Sequence, residues 1–180
     1  GMSAAYLTAP APSQRLRAAF KPFAGRLRIG ILWQDAPADS DDPSSMPKLA
    51  DFLSLADVPG VSLFSLQQGP ARRKLIELAT QGLVSDLGAS LQDDADRAAA
   101  LGELDLVVAV DSASVHLAGA LGRPVWIVLP RAADWRWQID RDDSSWYPSA
   151  RLFRRAGDDD WSEVFTRLRN ALSEFAARQK

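Results

Sequence analysis

The stretch that decides the fold is LDLVVAVDSASVHLAGALGRPVWIVLP, residues 104–130. Leu106–Val110 is an unbroken apolar run, which is typical of a parallel strand buried on both faces. Apolar residues at helical spacing follow, Gly122 closes that helix, and a second apolar run, Val125–Leu129, ends at Pro130. The stretch therefore predicts strand, tight turn, helix, turn and strand, which is a βαβ unit.

Polar residues occupy the turn between the first strand and the helix. Asp111 ends the apolar run, and Ser112 can serve as an N-cap because its side-chain oxygen accepts from N–H groups of the first helical turn. Ala113, Ser114 and His116 follow. In an open parallel sheet, ligands bind beyond the carboxyl ends of strands, where helix N-termini present N–H groups and a partial positive charge. The sequence therefore predicts a ligand site at this turn.

Composition narrows the functional classes. The chain has 180 residues, of which 47% are hydrophobic and 24% charged, so we expect one globular domain with a substantial core. A net charge of -2 gives no basic field, which argues against nucleic acid or an anionic membrane as the main partner. The lack of cysteine excludes disulfides and thiolate metal sites, and a single histidine excludes a histidine-rich zinc site. We therefore predict no metal and no cofactor.

Targeting signals are also missing from the sequence. No apolar stretch approaches the roughly 20 residues that a membrane helix needs, and the N-terminus lacks a signal-peptide pattern. These features predict no membrane span and a cytoplasmic location. Gly1 before Met2 resembles a scar left by tag removal, which predicts that Met2 is the native start and that the short length is genuine.

A change of pattern divides the chain into an arm and a domain. Residues 1–26 contain three prolines and no sustained period, which predicts a surface arm that packs on the domain or on a second subunit. Residues 27–180 alternate between strand and helix patterns, which predicts an α/β Rossmann-like, doubly wound, mostly parallel sheet with helices on both faces. Pro47 suits the first position of a helix. The other predicted strands are residues 27–33, 61–66 and 83–87, and the other predicted helices are residues 46–56, 72–81 and 93–101.

Tryptophan is concentrated among charges and turn formers in residues 133–148. This composition predicts a long loop with one helical turn. Because aromatic side chains each bury a large area, we expect Trp135, Trp137 and Trp146 to lock the loop onto the sheet rather than to form a base-stacking platform.

The C-terminal residues predict one more strand and one more helix. Leu152 and Phe153 indicate an edge strand, and three aspartates at residues 158–160 suit the positive end of a final helix. The predicted apolar face of that helix comprises Trp161, Val164, Phe165, Leu168, Leu172 and Phe175.

Two groups of charged residues leave alternatives open. The loop at residues 34–45 carries Asp35, Asp39, Asp41 and Asp42 and no basic residue, so it either binds a divalent cation through carboxylate oxygens or is simply solvated. The charge of a bound phosphate has two sets of candidate partners. These are Arg72, Arg73 and Lys74, which otherwise form the solvated start of a helix, or Arg131 and Arg136.

Several stretches together resemble a known family. Residues 28–154 resemble the nucleotide-sugar-binding, C-terminal half of GT-B glycosyltransferases, specifically the heptosyltransferase-like group found behind tetratricopeptide repeats in bacterial proteins. The resemblance is carried, besides residues 104–130, by IGILW (29–33), VSLFSLQQG (61–69), DLGASLQDDADRAA (86–99), DWRW (134–137) and RDDSSWYPSARLFR (141–154). It implies a single GT-B half-domain that binds a nucleotide diphosphate sugar.

The resemblance implies a phosphate-binding role for the start of the central helix. In the family, backbone N–H groups at this point bind the diphosphate of the donor, which here corresponds to Ser112, Ala113 and Ser114. The physics agrees, because a helix N-terminus is a ready anion site.

Three further positions match residues that act on the donor in the family. Asp111 would accept hydrogen bonds from sugar hydroxyls, His116 would orient the pocket or contact phosphate, and Gln67 would lie near the base or ribose. The residues alone also fit plainer roles. Asp111 can belong to a simple helix cap, His116 can be a buried histidine bonded to a backbone carbonyl, and Gln67 can stabilise a turn.

The sequence departs from the family in two respects that separate two hypotheses. The acidic loop at residues 34–45 would repel a diphosphate, and 180 residues leave room for one half of a GT-B enzyme, without the half that binds the acceptor. One hypothesis is a donor-binding glycosyltransferase domain that needs a second domain, a partner chain or a homodimer for catalysis, its catalytic residues unassigned. The other is a non-catalytic binding or assembly module with a decayed nucleotide site. A flavodoxin-like or response-regulator-like domain explains the alternation but not the tryptophan-rich segment.

Overall fold

Six strands pair in parallel in the computed structural model, which describes residues 5–34, 46–78, 80, 82–138, 141–157 and 161–179. The strands are β1 (Leu27–Leu32), β2 (Val61–Ser65), β3 (Val84–Asp86), β4 (Leu106–Val110), β5 (Val125–Leu129) and β6 (Ala150–Arg154). Their order across the sheet is β3-β2-β1-β4-β5-β6. This is the strand order of a Rossmann-like doubly wound sheet, in which the winding reverses between β1 and β4. The predicted fold class is confirmed.

Helices pack around this sheet. They are α1 (Gln14–Phe20), α2 (Leu49–Leu53), α3 (Lys74–Glu77), α4 (Asp94–Glu103), α5 (Ala113–Ala120) and α6 (Ser162–Arg178). Every residue of β4 is at most 1% exposed, as expected for a strand covered on both faces. In the part of the chain that the structure describes, no helix combines the length and apolar character needed to cross a bilayer.

The central βαβ unit forms as its sequence predicts. β4 and β5 have the predicted bounds, and α5 starts directly after Ser112, whose Oγ accepts from the backbone N–H of Val115 at 3.3 Å. Gly122 closes the helix with φ of 66°, a conformation that costs glycine little. The turn at Asp111 therefore lies at the carboxyl edge of the sheet, next to the point where its winding reverses.

Gly30 in β1 lies at a point where the side chain of Leu104 packs closely against the strand. A Cβ atom at this position would lie 2.6 Å from Cδ1 of Leu104, which is closer than real Cβ contacts allow. The glycine therefore allows the end of the Leu104 side chain to approach the strand closely.

Two of the predicted helices are shorter than their patterns suggested. The helix expected over residues 46–56 is α2 followed by a 3-10 turn at Ser54–Asp57, and Pro47 precedes it. The Asp51 carboxylate accepts from the backbone N–H of Lys48 at 2.7 Å, and this bond fixes the start at Leu49.

The segment after β2 also coils more tightly than predicted. The helix expected over residues 72–81 consists of a 3-10 turn at Pro70–Arg73 and the single turn α3. Both the backbone N–H and the hydroxyl of Thr80 donate to the carbonyl of Leu75, at 3.1 and 2.9 Å, and these bonds end the helix.

The N-terminal segment packs on the domain, which is one of the two alternatives that the sequence left open. Leu16 and Phe20 of α1 are buried, and the Phe20 ring lies 4.8 Å from that of Phe64 in β2. Further upstream, the backbone N–H groups of Tyr6 and Leu7 donate to the carbonyl of Ala120 at the end of α5. This segment therefore reaches the helix that carries the candidate site.

The C-terminal elements agree with the sequence prediction. β6 is an edge strand, and α6 buries Val164, Phe165, Leu168 and Leu172 against the core. The Phe165 ring packs edge to face on Phe52 at 4.9 Å, which joins α6 to α2. The aspartates at residues 158–160 and the acidic loop at residues 35–45 lie outside the described residues.

Candidate ligand-binding site

The turn after β4 places a carboxylate beside an imidazole. Asp111 Oδ2 accepts a hydrogen bond from the indole Nε1 of Trp137 at 2.8 Å. Asp111 Oδ1 lies 3.6 Å from Nε2 of His116, one turn along α5. The side chains of Asp111 and His116 are 31% and 36% exposed, so both reach solvent while protein contacts fix their positions.

Two aromatic residues orient the His116 ring. It stacks on Trp137 with a centroid distance of 5.5 Å and an interplanar angle of 18°. Its Nδ1 is hydrogen-bonded to the hydroxyl of Tyr147 at 3.1 Å. The alternative expectation of a buried histidine bonded to a backbone carbonyl is wrong, because the ring is partly exposed and its nitrogens face side chains. Asp111, Trp137, His116 and Tyr147 form one connected group, which we call the Asp111 network.

Tyr147 lies directly on the backbone of α5. A Cβ atom at Gly119 would be 2.4 Å from Cγ of the Tyr147 ring, so only a glycine leaves room for the ring there. Burial raises the pKa of Tyr147 above its ordinary value, the neighbouring Tyr6 raises it further, and Arg136 acts in the opposite direction. The N-terminal segment therefore contacts the Asp111 network through Tyr6.

We expect the phenol of Tyr147 to ionise with a midpoint above 10.0 in the folded protein. Well below pH 10.0, both the folded and the unfolded chain keep the Tyr147 proton, so the contribution of the neutral phenol to folding stability is fully present. This contribution is lost as the pH rises through the folded-state pKa, because the unfolded chain releases the proton first. The measurement is the near-ultraviolet absorbance of phenolate, taken as the difference between the wild type and Tyr147→Phe. A difference curve with its midpoint at or below 10.0 would show that this phenol is not held as described.

A cavity of about 300 Å³ opens beside the Asp111 network. It is lined by His116, Trp135, Arg136, Trp137, Trp146 and Tyr147, and we call it the aromatic cavity. The helical turn predicted in this segment is present as a 3-10 turn at Trp135–Trp137. The walls of the aromatic cavity come from α5 on one side and from the loop between β5 and β6 on the other.

The tryptophans of that loop do not share one role. Trp137 is 1% exposed and anchors the loop, as predicted. Trp135 and Trp146 are 74% and 46% exposed, so the prediction that they lock the loop onto the sheet is wrong. Their rings meet edge to face at 6.4 Å, and Arg136 lies 5.9 Å from the centroid of Trp135. These two side chains face solvent instead of the core.

A second cavity of about 460 Å³ lies beyond the carboxyl ends of β1 and β2. We call it the strand-end cleft. Its lining residues are Leu32, Gln34, Leu66, Gln67, Gln68, Gly69, Pro70, Ala71, Arg97 and Ser114. Ser114 and His116 are two residues apart on α5, and such residues point to different sides of a helix. Ser114 therefore lines the strand-end cleft, whereas His116 lines the aromatic cavity.

Gln67 braces the backbone at the end of β1. Its Oε1 accepts from the backbone N–H groups of Trp33 and Gln34 at 3.3 and 3.0 Å, and its Nε2 donates to the Gln34 carbonyl at 2.6 Å. The residue is 4% exposed, and its amide is occupied by these bonds. Gln67 thus shapes the wall of the strand-end cleft, and its contact with a base or ribose stays a prediction.

The basic residue inside the strand-end cleft was not among the predicted candidates. Arg97 of α4 lines the cleft and donates to Oε1 of Gln68 at 2.6 Å and to Asp94 at 2.8 Å. Its only sequence signal was its place in the family-like stretch at residues 86–99. Among the predicted candidates, Arg72 is paired with Asp86 at 2.7 Å, which raises the pKa of Arg72, and Arg136 is paired with Asp134 at 3.1 Å.

The predicted site residues therefore fall on two sides of one helix start. Ser112 uses its side chain for the cap, Ala113 is exposed, and Ser114 opens into the strand-end cleft. Asp111 and His116 belong to the network beside the aromatic cavity. Within the described ranges, no three histidine or acidic side chains are grouped so that they could hold a metal ion.

Comparison with known proteins identifies one curated relative and several solved structures of the same fold. No protein-family model matches the chain. A curated relative, Protein FlbA of Caulobacter vibrioides, is 29% identical over 155 residues, which are 83% of this chain and 26% of FlbA. The chain thus spans about a quarter of that relative's length.

Three solved structures share this fold over most of the chain. ADP-heptose lipopolysaccharide heptosyltransferase II of E. coli has a TM-score of 0.64 at 16% identity, over 96% of this chain and 54% of the other. A glycosyltransferase of family 9 from Veillonella parvula has a TM-score of 0.55 at 16% identity, over 85% and 44%. Anabaena HepE, solved with UDP and glucose, has a TM-score of 0.50 at 12% identity, over 95% and 46%. The chain therefore has the α/β Rossmann-like fold of these three solved structures, two of which are glycosyltransferases, and it spans about half of their length.

Proposed function

We propose that the chain is a glycosyltransferase-like domain that binds a nucleotide diphosphate sugar at the strand-end cleft and the start of α5. Glycosyl transfer then requires a second domain, a partner chain or a second copy of this chain. The observation that carries the proposal is the position of the cleft, which lies at the carboxyl edge of β1 and β2, beside the reversal of winding between β1 and β4. Ligands of doubly wound sheets bind in this position.

The size of the cleft suits a nucleotide. Its volume of about 460 Å³ falls within the range of about 300–1,000 Å³ that small-molecule and cofactor sites occupy. The solved structures of the same fold support this class of ligand, since one is an ADP-heptose heptosyltransferase and HepE was solved with UDP and glucose.

The charges of the cleft favour an anion. Among the lining residues that the structure describes, Arg97 is positively charged and none is a carboxylate. The Asp94 partner of Arg97 is not among these lining residues, and its side chain is 88% exposed, so solvent weakens its effect on the charge in the cleft. Ser114 brings the first turn of α5 to the same cleft, and the positive end of a helix attracts phosphate. We therefore place the diphosphate between α5 and Arg97.

The Asp111 network continues from the diphosphate position toward the aromatic cavity. We place the sugar on this side, where Asp111 Oδ1 can accept from a hydroxyl and where the contact with Trp137 and His116 fixes the carboxylate. In a transfer reaction, the N–H groups of α5 and Arg97 would stabilise the negative charge that develops on the leaving diphosphate. In this proposal, the base that deprotonates the acceptor comes from the second domain, the partner chain or the second copy.

We expect Arg97→Gln to weaken binding of the preferred nucleotide by about 10–100-fold, because a hydrogen bond to a charged group contributes about 1.5–3 kcal/mol. The measurement is a calorimetric titration with ADP, UDP, GDP and their sugars, which also identifies the preferred base. Arg178→Gln is the matched control, since Arg178 lies at the far end of α6 and its side chain is 77% exposed.

Unchanged affinity in Arg97→Gln would remove this residue from the site, and absence of binding by every nucleotide to the folded protein would contradict the proposal as a whole. The second outcome would favour the non-catalytic binding or assembly module. Association with tetratricopeptide repeats, bacterial origin and a cytoplasmic location stay predictions of the sequence.

A further inference from the structure

The aromatic cavity has features that the proposed nucleotide site does not use. Trp135 and Trp146 hold large apolar faces in solvent, whereas side chains of this size are usually buried. Contiguous exposed apolar surface on a soluble protein commonly marks a binding site. Trp137 and the Asp111 network fix the floor of the cavity, so the two exposed rings stand over a rigid base.

The geometry of the two exposed rings selects against a flat ligand. Their planes are inclined by 75° with centroids 6.4 Å apart, so they form a corner rather than two parallel walls. A nucleobase can stack on one face of this corner only. A pyranose ring is thicker and carries C–H groups on its faces and around its edge, so it can contact both indoles at once.

The charges around the cavity select against an ion. Arg136 is paired with Asp134 at 3.1 Å, and His116 lies 3.6 Å from Asp111, so each basic group already faces a carboxylate. The polar atoms that remain at the cavity, among them the Tyr147 hydroxyl, can donate to or accept from hydroxyl groups. A volume of about 300 Å³ lies at the small end of ligand sites, which suits one sugar ring.

We propose that the aromatic cavity is a binding site for a neutral monosaccharide ring, which packs against Trp135 and Trp146 while its hydroxyls bond to the Asp111 network. The class of ligand rests on the geometry of the cavity. The source of the ring, the sugar of the donor or the sugar of an acceptor, rests on the proposed function.

The test uses proton–nitrogen correlation spectra of the indole N–H groups of the full chain, assigned with tryptophan-to-phenylalanine variants. The probes are D-glucose, D-galactose and D-mannose, then UDP and ADP, then UDP-glucose and ADP-glucose. We expect a free sugar or a nucleotide sugar to shift the signals of Trp135 and Trp146. Trp126 and Trp161, which are buried in other parts of the core, serve as internal controls and should not move.

Substitution separates a sugar site from a general solvent effect. We expect Trp135→Ala to weaken the sugar-dependent binding at least about fivefold, and Trp135→Phe, which keeps an aromatic face, to restore part of it. Trp135 is mostly exposed, so both variants should fold. Equal affinity in Trp135→Ala and the wild type would overturn the proposal.

The probes also distinguish the source of the sugar. Shifts with a nucleotide sugar, absent with the nucleotide alone, identify the donor sugar; shifts with free sugars only identify an acceptor sugar. The proposal fails if no sugar-containing probe shifts Trp135 and Trp146, or if a nucleotide alone does so. The free-sugar titration needs no nucleotide. Its result therefore tests the aromatic cavity even if the strand-end cleft binds no nucleotide.

Discussion

Replacing Trp137 by alanine will lower the free energy of unfolding by about 3–5 kcal/mol, the usual cost of truncating a buried tryptophan. The indole is 1% exposed, stacks on His116 and donates to Asp111, so its removal leaves a void and an unpaired carboxylate oxygen. It also removes the contact that anchors the loop between β5 and β6. The measurement is chemical denaturation, read as a shift of the midpoint at an unchanged dependence on denaturant.

Trp135→Ala is the matched control for this prediction. The same substitution two residues earlier removes a side chain that is 74% exposed, so the free energy of unfolding should change by no more than about 0.5 kcal/mol. Equal destabilisation by the two substitutions would mean that the loop is not anchored through Trp137. That result would also remove the rigid base on which the monosaccharide proposal depends.

Gly88→Ala has the second large effect, which we expect to be about 3 kcal/mol of destabilisation, at the upper end for a single overpacked group. A Cβ atom at Gly88 would lie 1.9 Å from the carbonyl oxygen of Gln67 and 2.9 Å from its carbonyl carbon. Because this neighbour is backbone, it can move aside only by displacing the wall of the strand-end cleft. Nucleotide affinity should therefore fall together with stability.

Gly82→Ala provides the comparison for Gly88→Ala. A Cβ atom at Gly82 would meet nothing within 4 Å, so the added methyl group should leave the free energy of unfolding within about 1 kcal/mol of the wild type. Denaturation and calorimetry on the two variants measure both effects. A Gly88→Ala protein that is as stable as Gly82→Ala would show that the turn after β3 does not pack on Gln67 as described.

The central βαβ unit could be predicted from sequence because its signals are local. The apolar run of Leu106–Val110, the cap at Ser112 and the glycine at residue 122 each specify their own element without help from distant residues. The doubly wound, mostly parallel class of the sheet followed from the alternation of strand and helix patterns, since parallel strands need crossover connections. The position of Asp111, Ser114 and His116 at the carboxyl edge followed in turn.

Roles that depend on tertiary contacts could not be predicted in this way. Composition gives Trp135, Trp137 and Trp146 the same preference for burial, and only the contact with Asp111 and His116 distinguishes Trp137. The role of Gln67 could not be predicted for the same reason, because its bonds reach the backbone of residues 33 and 34, which follow the end of β1 and are distant in sequence.

The division of the site into two cavities also needed the three-dimensional arrangement. Ser114 and His116 are near neighbours in sequence but serve different sides of α5. Arg97 is distant from both in the chain, and the packing of α4 brings it to the cleft lined by Ser114. A linear motif therefore predicts which residues are near the site, and the helix geometry decides which cavity each one faces.

In the function that we propose, a nucleotide binds in the strand-end cleft against the start of α5. The most direct measurement is a map of backbone amide shifts in proton–nitrogen correlation spectra as ADP or UDP is added to the wild-type chain. We expect the largest shifts at residues 112–114, 67–69 and 71, with the N–H of Ser114 among them. Shifts centred elsewhere, or none at saturating nucleotide, would contradict it.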